Sequence, residues 1–348
     1  GDRFELRPVR SDHGQRRPPD AARGRGRPRI HTDVEAARAA VEGRLHRTPL
    51  LSSETLGQAF GGRAFLKAEL FQKTGSFKPR GMLAKLASLS TEEKARGVVS
   101  ISAGNAAAGL AYACALEGVD CLVVMWRTAS ELKVAATRAY GAEVDLESAN
   151  PVEAFERVFE VAEATGRTFV HPYDDPVVIA GHSTLGSEIA EELPAVDTIV
   201  VPAGGGGLVA GVATGAIGRR VVGVEPEGSA ALHEALQAGE PVPVVPDSIA
   251  DALSAPRAGE HPLRICTELG VESVLVTEDD IRAGFRFLYE RAKLAAEPGA
   301  AVGVGALLAG KIGQVKGKTV AVVVSGGNVS TQTASDILKG NRPTDDSS

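Results

Sequence analysis

The sequence has few aromatic residues (4%), only three cysteines and no long apolar run. No hydrophobic stretch reaches the ~18–20 residues of a membrane-spanning helix. Cys114, Cys121 and Cys266 are odd in number and form no CxxC pair. Cys114 and Cys121 fall in apolar segments, so buried free thiols are expected rather than disulfides or metal ligands, and with them a reducing, cytoplasmic setting. The histidines show no metal-ligand spacing, and no metal is expected. A signal-peptide apolar core is missing from the first residues. Forty glycines occur without a Gly-X-Y period, which excludes collagen and points to tight turns and close backbone approaches.

Charge of one sign is also unevenly supplied. Nine arginines against four acids give residues 1–30 a charge of +5, which leaves −11 for the rest of a chain whose net charge is −6. An acidic body argues against general nucleic-acid binding. The first thirty residues are rich in Arg, Pro and Gly and read as a disordered basic tail, and residues 341–348 as a second tail. A chain of 348 residues exceeds the usual size of one hydrophobic core, so two lobes are expected.

Order is predicted to begin near Thr32, where Thr32-Asp33-Val34-Glu35 has a capping-box pattern and opens a helix to about Gly43. Strand-like and helix-like segments then alternate. Strands are predicted over 64–69, 98–102, 121–125, 144–146, 198–201, 221–224 and 319–324. Helices are predicted over 106–116, 130–140 and 152–164, the second packing an apolar face on the core. Such βα alternation predicts parallel sheets covered on both faces, an α/β fold. Ligands in these folds bind beyond the carboxyl ends of the strands.

Four segments there carry chemistry. Gly75, Pro79 and Gly81 bracket Phe77 and Lys78 on a constrained turn beside a helix start. A partly buried lysine at a helix N-terminus has its charged form disfavoured, as a Schiff-base amine requires. A plain surface lysine is the alternative. Ser102-Ala103-Gly104-Asn105 follows a strand and opens a helix, offering free N–H groups to an anion. Asn105 serving only as an N-cap is the alternative. Gly204-Gly205-Gly206-Gly207-Leu208 lies between strand and helix and can cradle a phosphate. It is neither GxGxxG nor a P-loop, so a nucleotide is not indicated. Ser325-Gly326-Gly327-Asn328 follows the last strand and leaves a hydroxyl at its carboxyl end.

An amine nucleophile, a phosphate cradle, an anion-binding helix start and a hydroxyl together fit pyridoxal 5'-phosphate. The segments 74–81, 102–109, 204–208 and 325–328 occur in the order found in fold-type II pyridoxal-phosphate enzymes, the tryptophan synthase β-like fold. The chain most resembles their serine/threonine dehydratases, from about Thr32 to Lys339. The resemblance extends to His171-Pro172-Tyr173-Asp174-Asp175-Pro176, Gly181-His182-Ser183-Thr184, Val224-Glu225-Pro226, Ile249-Ala250-Asp251 and Glu297-Pro298.

The resemblance implies two doubly wound, three-layer α/β/α lobes. Residues 31–92 and 172–340 would form a large cofactor-binding lobe and 93–171 a small one. It implies that Lys78 forms the Schiff base and later removes the substrate Cα proton. Phe77 would pack on the ring, and Asn105 would bond its phenolic oxygen. The amides of Gly204 to Gly207, with Leu208, would hold the phosphate, and Ser325 would meet the pyridine nitrogen. Ser102, Ala103, Gly104 and Asn105 would bind the substrate carboxylate. Glu297 would lie close to the ring, with no role assigned. His171 and His182 would be structural. The implied reaction is α,β-elimination of L-threonine or L-serine to a 2-oxo acid and ammonia. A hydroxyl holds a proton on the ring nitrogen less firmly than a carboxylate would, which favours prompt β-elimination over transamination. A homodimer is implied too.

Some positions depart from the family pattern. Racemising members have a second Ser where this chain has Ala103, so racemisation is disfavoured. Metal-activated members have an acid where this chain has Ala231, six residues after Glu225. Trp126-Arg127 replaces a Pro-rich stretch and reads as a capped strand end. Little sequence follows the last helix, so no C-terminal regulatory domain is expected. The remaining alternatives are β-replacement, racemisation, dehydration of a specialised β-hydroxy amino acid, and a non-catalytic binding protein that keeps the fold.

Overall fold

A computed structural model describes residues 33–340. The arginine-rich segment 1–30, Thr32 and the tail 341–348 lie outside the described residues. The strands are β1 (Leu50–Ser52), β2 (Arg63–Ala68), β3 (Val98–Ile101), β4 (Cys121–Trp126), β5 (Glu143–Ser148), β6 (Thr168–Phe169), β7 (Thr198–Pro202), β8 (Arg220–Pro226), β9 (Glu272–Val276) and β10 (Thr319–Val324). The helices are α1 (Val34–Val41), α2 (Glu54–Phe60), α3 (Lys78–Ser88), α4 (Thr91–Arg96), α5 (Asn105–Glu117), α6 (Glu131–Ala139), α7 (Pro151–Thr165) and α8 (Pro176–Glu192). They continue as α9 (Gly207–Gly215), α10 (Ala231–Ala238), α11 (Glu260–Glu268), α12 (Glu278–Phe287), α13 (Pro298–Leu308) and α14 (Thr331–Lys339).

The strands form two sheets. One has the order β1-β2-β10-β7-β8-β9 and the other β5-β4-β3-β6. All pairings are parallel except β1 with β2. The wholly buried runs of β7 and β10 follow from parallel strands covered on both faces. In β10, Val320, Val322 and Val324 face the cluster built with α12 and α13, so the strand alternation sorts the two helix layers. The smaller sheet is covered by α5 and α6 on one face and by α7 on the other.

Several expectations need correction. The α1 N-cap is Asp33, whose carboxylate accepts from Ala36 N–H at 2.9 Å. In α6 only Val134 and Thr137 are buried and Leu132 faces outward, so its contribution to the core is narrow. The short strands β1 and β6 and the edge strand β9 carry no strong apolar period, and they were not expected. The end of β4 is held by an Arg127 N–H bond to the Ser148 carbonyl. As expected for Cys114 and Cys121, the cysteines are buried and free, Cys266 included.

A buried ion-pair network roots α3. Arg80 donates to both oxygens of Glu69 at 2.8 Å and to both of Glu188, at 2.6 and 3.0 Å. Arg80 and Glu69 are fully buried. Burial alone would lower the guanidinium's pKa, but the two carboxylates outweigh it and raise it. Such a network gives little net stability, yet removing one partner strands a buried charge. It fixes the first turn of α3 and therefore Lys78 at its head.

Candidate active site

The segments singled out from sequence meet where the strands end. The loop before Lys78 is stitched to the loop after β10. Phe77 N–H donates to the Ser325 carbonyl at 3.1 Å and Gly327 N–H to the Gly75 carbonyl at 2.9 Å. Ser76 and Gly326 form an antiparallel bridge. In this loop Thr74 has φ +62°, a left-handed conformation that is strained for a β-branched residue. Its carbonyl accepts from Asn328 Nδ2 at 2.8 Å.

Lys78 is the first residue of α3 and is followed by Pro79, which lacks the N–H a first turn leaves unused. Its Nζ donates to the Pro172 carbonyl at 2.8 Å. Desolvation lowers the amine to about 8, opposed by the nearby Glu297 carboxylate. Nζ lies 5.2 Å from the Phe77 ring centroid, and that ring meets His182 edge-on at 4.8 Å. His182 is fully buried, and neither ring nitrogen has a partner among the described residues. Burial, with Lys78 and Arg80 nearby, holds it well below the usual imidazole range. His171 accepts from the Asp174 N–H at 2.8 Å and is pushed down to about 4, chiefly by burial.

The N-cap of α5 is Gly104, and Asn105 is the first helical residue, so the N-cap alternative for Asn105 fails. Asn105 Nδ2 instead donates to Glu297 Oε1 at 2.8 Å and Oε2 at 3.1 Å. Asn328 Nδ2 donates to Asn105 Oδ1 at 2.7 Å. Burial raises the Glu297 carboxyl to about 7, against the Asn105 hydrogen bond, which lowers it. Ser102 Oγ accepts the Gly104 N–H at 3.2 Å, and Ala103 lies between them, partly exposed.

The glycine loop runs from β7 into α9. Gly206 is the N-cap with φ +89°, and no side chain caps the helix. The first N–H groups of an α-helix have no intrahelical acceptor, and here they are buried. The glycines of this loop also make room for neighbouring protein. A Cβ on Gly207 would come within 2.7 Å of the Tyr173 carbonyl, and one on Gly204 within 2.9 Å of the Leu253 carbonyl. A Cβ on Gly205 would overlap the Tyr173 ring, and one on Gly206 would crowd Pro262. Neighbouring protein segments press on this loop from outside. Only Gly104, among the site glycines, faces open space.

Pro172, Tyr173 and Asn328 had places in matched segments of the sequence but no role in this constellation. Their signal was the His171–Pro176 segment and the Asn that closes Ser325–Asn328. Ser325 is buried beyond β10. Two hollows of about 510 and 390 Å³ lie elsewhere, the first lined by Phe60 and Leu307 and the second by His46, Lys73 and Tyr112. Neither includes Lys78, and the convergent chemistry rather than hollow size marks the site. Glu225 accepts N–H bonds from Leu232 and His233 at 2.8 and 2.7 Å, so α10 already engages both of its oxygens. No described helix is long and apolar enough to cross a membrane.

These features fit pyridoxal phosphate. A lysine amine of lowered basicity faces the cleft, and a buried, uncapped helix N-terminus can take an anion. Thr74 Oγ1 and Ser76 Oγ, in the loop before Lys78, are buried without hydrogen-bond partners among the described residues. The comparison with known proteins points the same way. The sequence matches the family described as "Pyridoxal-phosphate dependent enzyme" over residues 41–326. It is 43% identical over 303 residues to an L-threonine ammonia-lyase of Thermotoga maritima, covering 85% of this chain and 75% of that one. It is 40% identical over 311 residues to a catabolic L-threonine dehydratase of Escherichia coli, covering 88% and 94%. The fold superposes on the crystal structure of a serine racemase from Dictyostelium discoideum with a TM-score of 0.81 and 33% identity, covering 86% and 98%. The chain therefore belongs to the pyridoxal-phosphate-dependent enzyme family.

Proposed function

We propose that the protein is a pyridoxal-phosphate-dependent L-threonine/L-serine dehydratase that releases a 2-oxo acid and ammonia. The observation that carries the reading is Lys78 at the head of α3, with its Nζ on the Pro172 carbonyl and the preceding Phe77 N–H on the Ser325 carbonyl. The names of the relatives support the choice of substrate class.

In this reading Lys78 would hold the cofactor's carbonyl carbon, the α9 N–H groups with Gly204 to Leu208 its phosphate, Asn105 would donate to its phenolic oxygen, and Ser325 would meet its ring nitrogen. Phe77 packs beside the ring. The bound cofactor withdraws electron density from the substrate's Cα–H bond. Lys78, whose buried amine is less basic than a free lysine, would be the group to take the substrate's Cα proton. Ser102, Ala103, Gly104 and Asn105 present N–H groups and a hydroxyl to the substrate carboxylate. The link from Asn105 to Glu297 and the ion pair from Lys133 to Asp251 at 2.5 Å tie α5 and α6, which cover the four-stranded sheet, to segments of the six-stranded one. The residue ranges 31–92 with 172–340, and 93–171, act as large and small lobes on either side. The enzyme works as a cytoplasmic homodimer on a small amino acid, without nucleic acid.

Racemisation is the second reading, favoured by the likeness to a serine racemase. Ala103 weighs against it, because its methyl group cannot carry a proton to the opposite face of Cα. The test is 2-oxo-acid release over a panel of β-hydroxy amino acids, with D-serine measured in parallel. Rapid pyruvate or 2-oxobutyrate release supports the dehydratase. D-serine accumulation without 2-oxo acid sinks it.

A further inference from the structure

Glu297 stands at the N-cap of α13 yet caps nothing, and the next residue, Pro298, has no N–H to offer. Its carboxylate is buried. Both oxygens face Asn105 Nδ2. Gly326 leaves room for it, since a Cβ there would collide with Oε1.

The hydrogen bonds in this cluster run one way. The Asn328 amide gives its two hydrogens to the Thr74 carbonyl and to Asn105 Oδ1. Asn105 in turn gives a hydrogen to Glu297. The Asn328 amide nitrogen only donates, so it makes Oδ1 the end of the Asn105 amide that faces it, and Glu297, when ionised, only accepts and enforces the same choice. The Asn105 amide is therefore trapped in one of its two orientations. A flip would set donor against donor at Asn328 and, with Glu297 ionised, acceptor against acceptor there. The cluster also crosses the cleft, because Asn105 heads α5 on the four-stranded sheet, whereas Glu297 and Asn328 belong to the six-stranded one.

We propose that Glu297 is a positioning residue that fixes the Asn105 amide, so that the second Nδ2 hydrogen is kept for the cofactor's phenolic oxygen, and that ties α5 to the Ser325 loop across the cleft. The proposal rests on the cofactor-binding role given to Asn105 above. It needs no direct contact between Glu297 and the substrate.

The test uses the full chain, freed of cofactor and titrated with pyridoxal phosphate. Glu297→Gln keeps the volume but replaces one of the two oxygens that face Asn105 Nδ2 with a donor. Its pyridoxal-phosphate Kd is expected to rise about tenfold, and the pH midpoint of the bound cofactor's visible absorption to move. Asn328→Ala removes the donor that pins Oδ1, from an exposed position that is safe for folding. It is expected to weaken cofactor binding in the same direction by about threefold. Because both act through Asn105, the double variant is expected to be no weaker than Glu297→Gln alone. Variants that both keep the wild-type Kd and absorption midpoint overturn the proposal, and Asn328→Ala decides if Glu297→Gln does not fold. Wild-type protein that forms no reducible bond with pyridoxal phosphate would instead sink the cofactor reading itself.

Discussion

The lowered basicity of Lys78 has a kinetic consequence that can be worked through. Only a neutral amine attacks an aldehyde. At pH 7 a lysine at the ordinary value of 10.5 is ~0.03% neutral, whereas one at about 8 is ~10% neutral. Lys78 should thus have an advantage of roughly 300-fold over a free lysine side chain at pH 7 from its neutral fraction alone. By pH 9 Lys78 is ~90% neutral and gains little more, while the free side chain still rises tenfold per pH unit. Their ratio must therefore fall about tenfold between pH 7 and 9. The assay is stopped-flow capture of pyridoxal phosphate by cofactor-free protein, divided at each pH by the rate with Nα-acetyl-lysine. The division removes the cofactor's own ionisation. A ratio that stays flat from pH 7 to 9 refutes the claim that desolvation has lowered this amine.

Three further outcomes follow from the packing. Gly205→Ala places a methyl group on the Tyr173 ring, so it should cost about 1–3 kcal/mol and reduce the thermal stabilisation that added pyridoxal phosphate gives, as measured by differential scanning fluorimetry. An unchanged melting curve with full cofactor response would contradict that contact. Arg80→Met leaves Glu69 buried without its cation and should cost about 3–5 kcal/mol in urea unfolding; a loss under ~1 kcal/mol would show that the network is dispensable. Ala103→Ser restores a hydroxyl at the start of α5, and D-serine should then appear beside pyruvate on chiral chromatography. Its absence would mean that Ala103 is not what withholds racemisation.

Much of this architecture was legible because its strands are unambiguous. β7 and β10 are apolar β-branched runs, and each is followed by glycines and then a helix, so the parallel core could be read directly. β1, with three residues, and β6, with two, are too short for a period, and β9 at the sheet edge mixes polar and apolar residues. The site was legible to the extent that its chemistry sits in contiguous segments. Lys78, Asn105, the glycine loop and Ser325 all belong to such segments. What could not be read were contacts between segments far apart in the chain. The Pro172 carbonyl on Lys78 Nζ, the Asn105–Glu297 pair and the pressure of Tyr173 on Gly205 and Gly207 depend on how the loops stack. The glycines were read as space for a ligand, and most of them make space for protein. Glu297 had no sequence signal for a role, because a Glu before a Pro at a helix start reads as an ordinary cap.

The central claim is that Lys78 carries the cofactor. Protein incubated with pyridoxal phosphate, reduced with borohydride and digested should yield one peptide that bears the phosphopyridoxyl mass on Lys78. The same treatment of Lys78→Ala should yield none. A reduced adduct on another lysine, or one that survives in Lys78→Ala, contradicts the account.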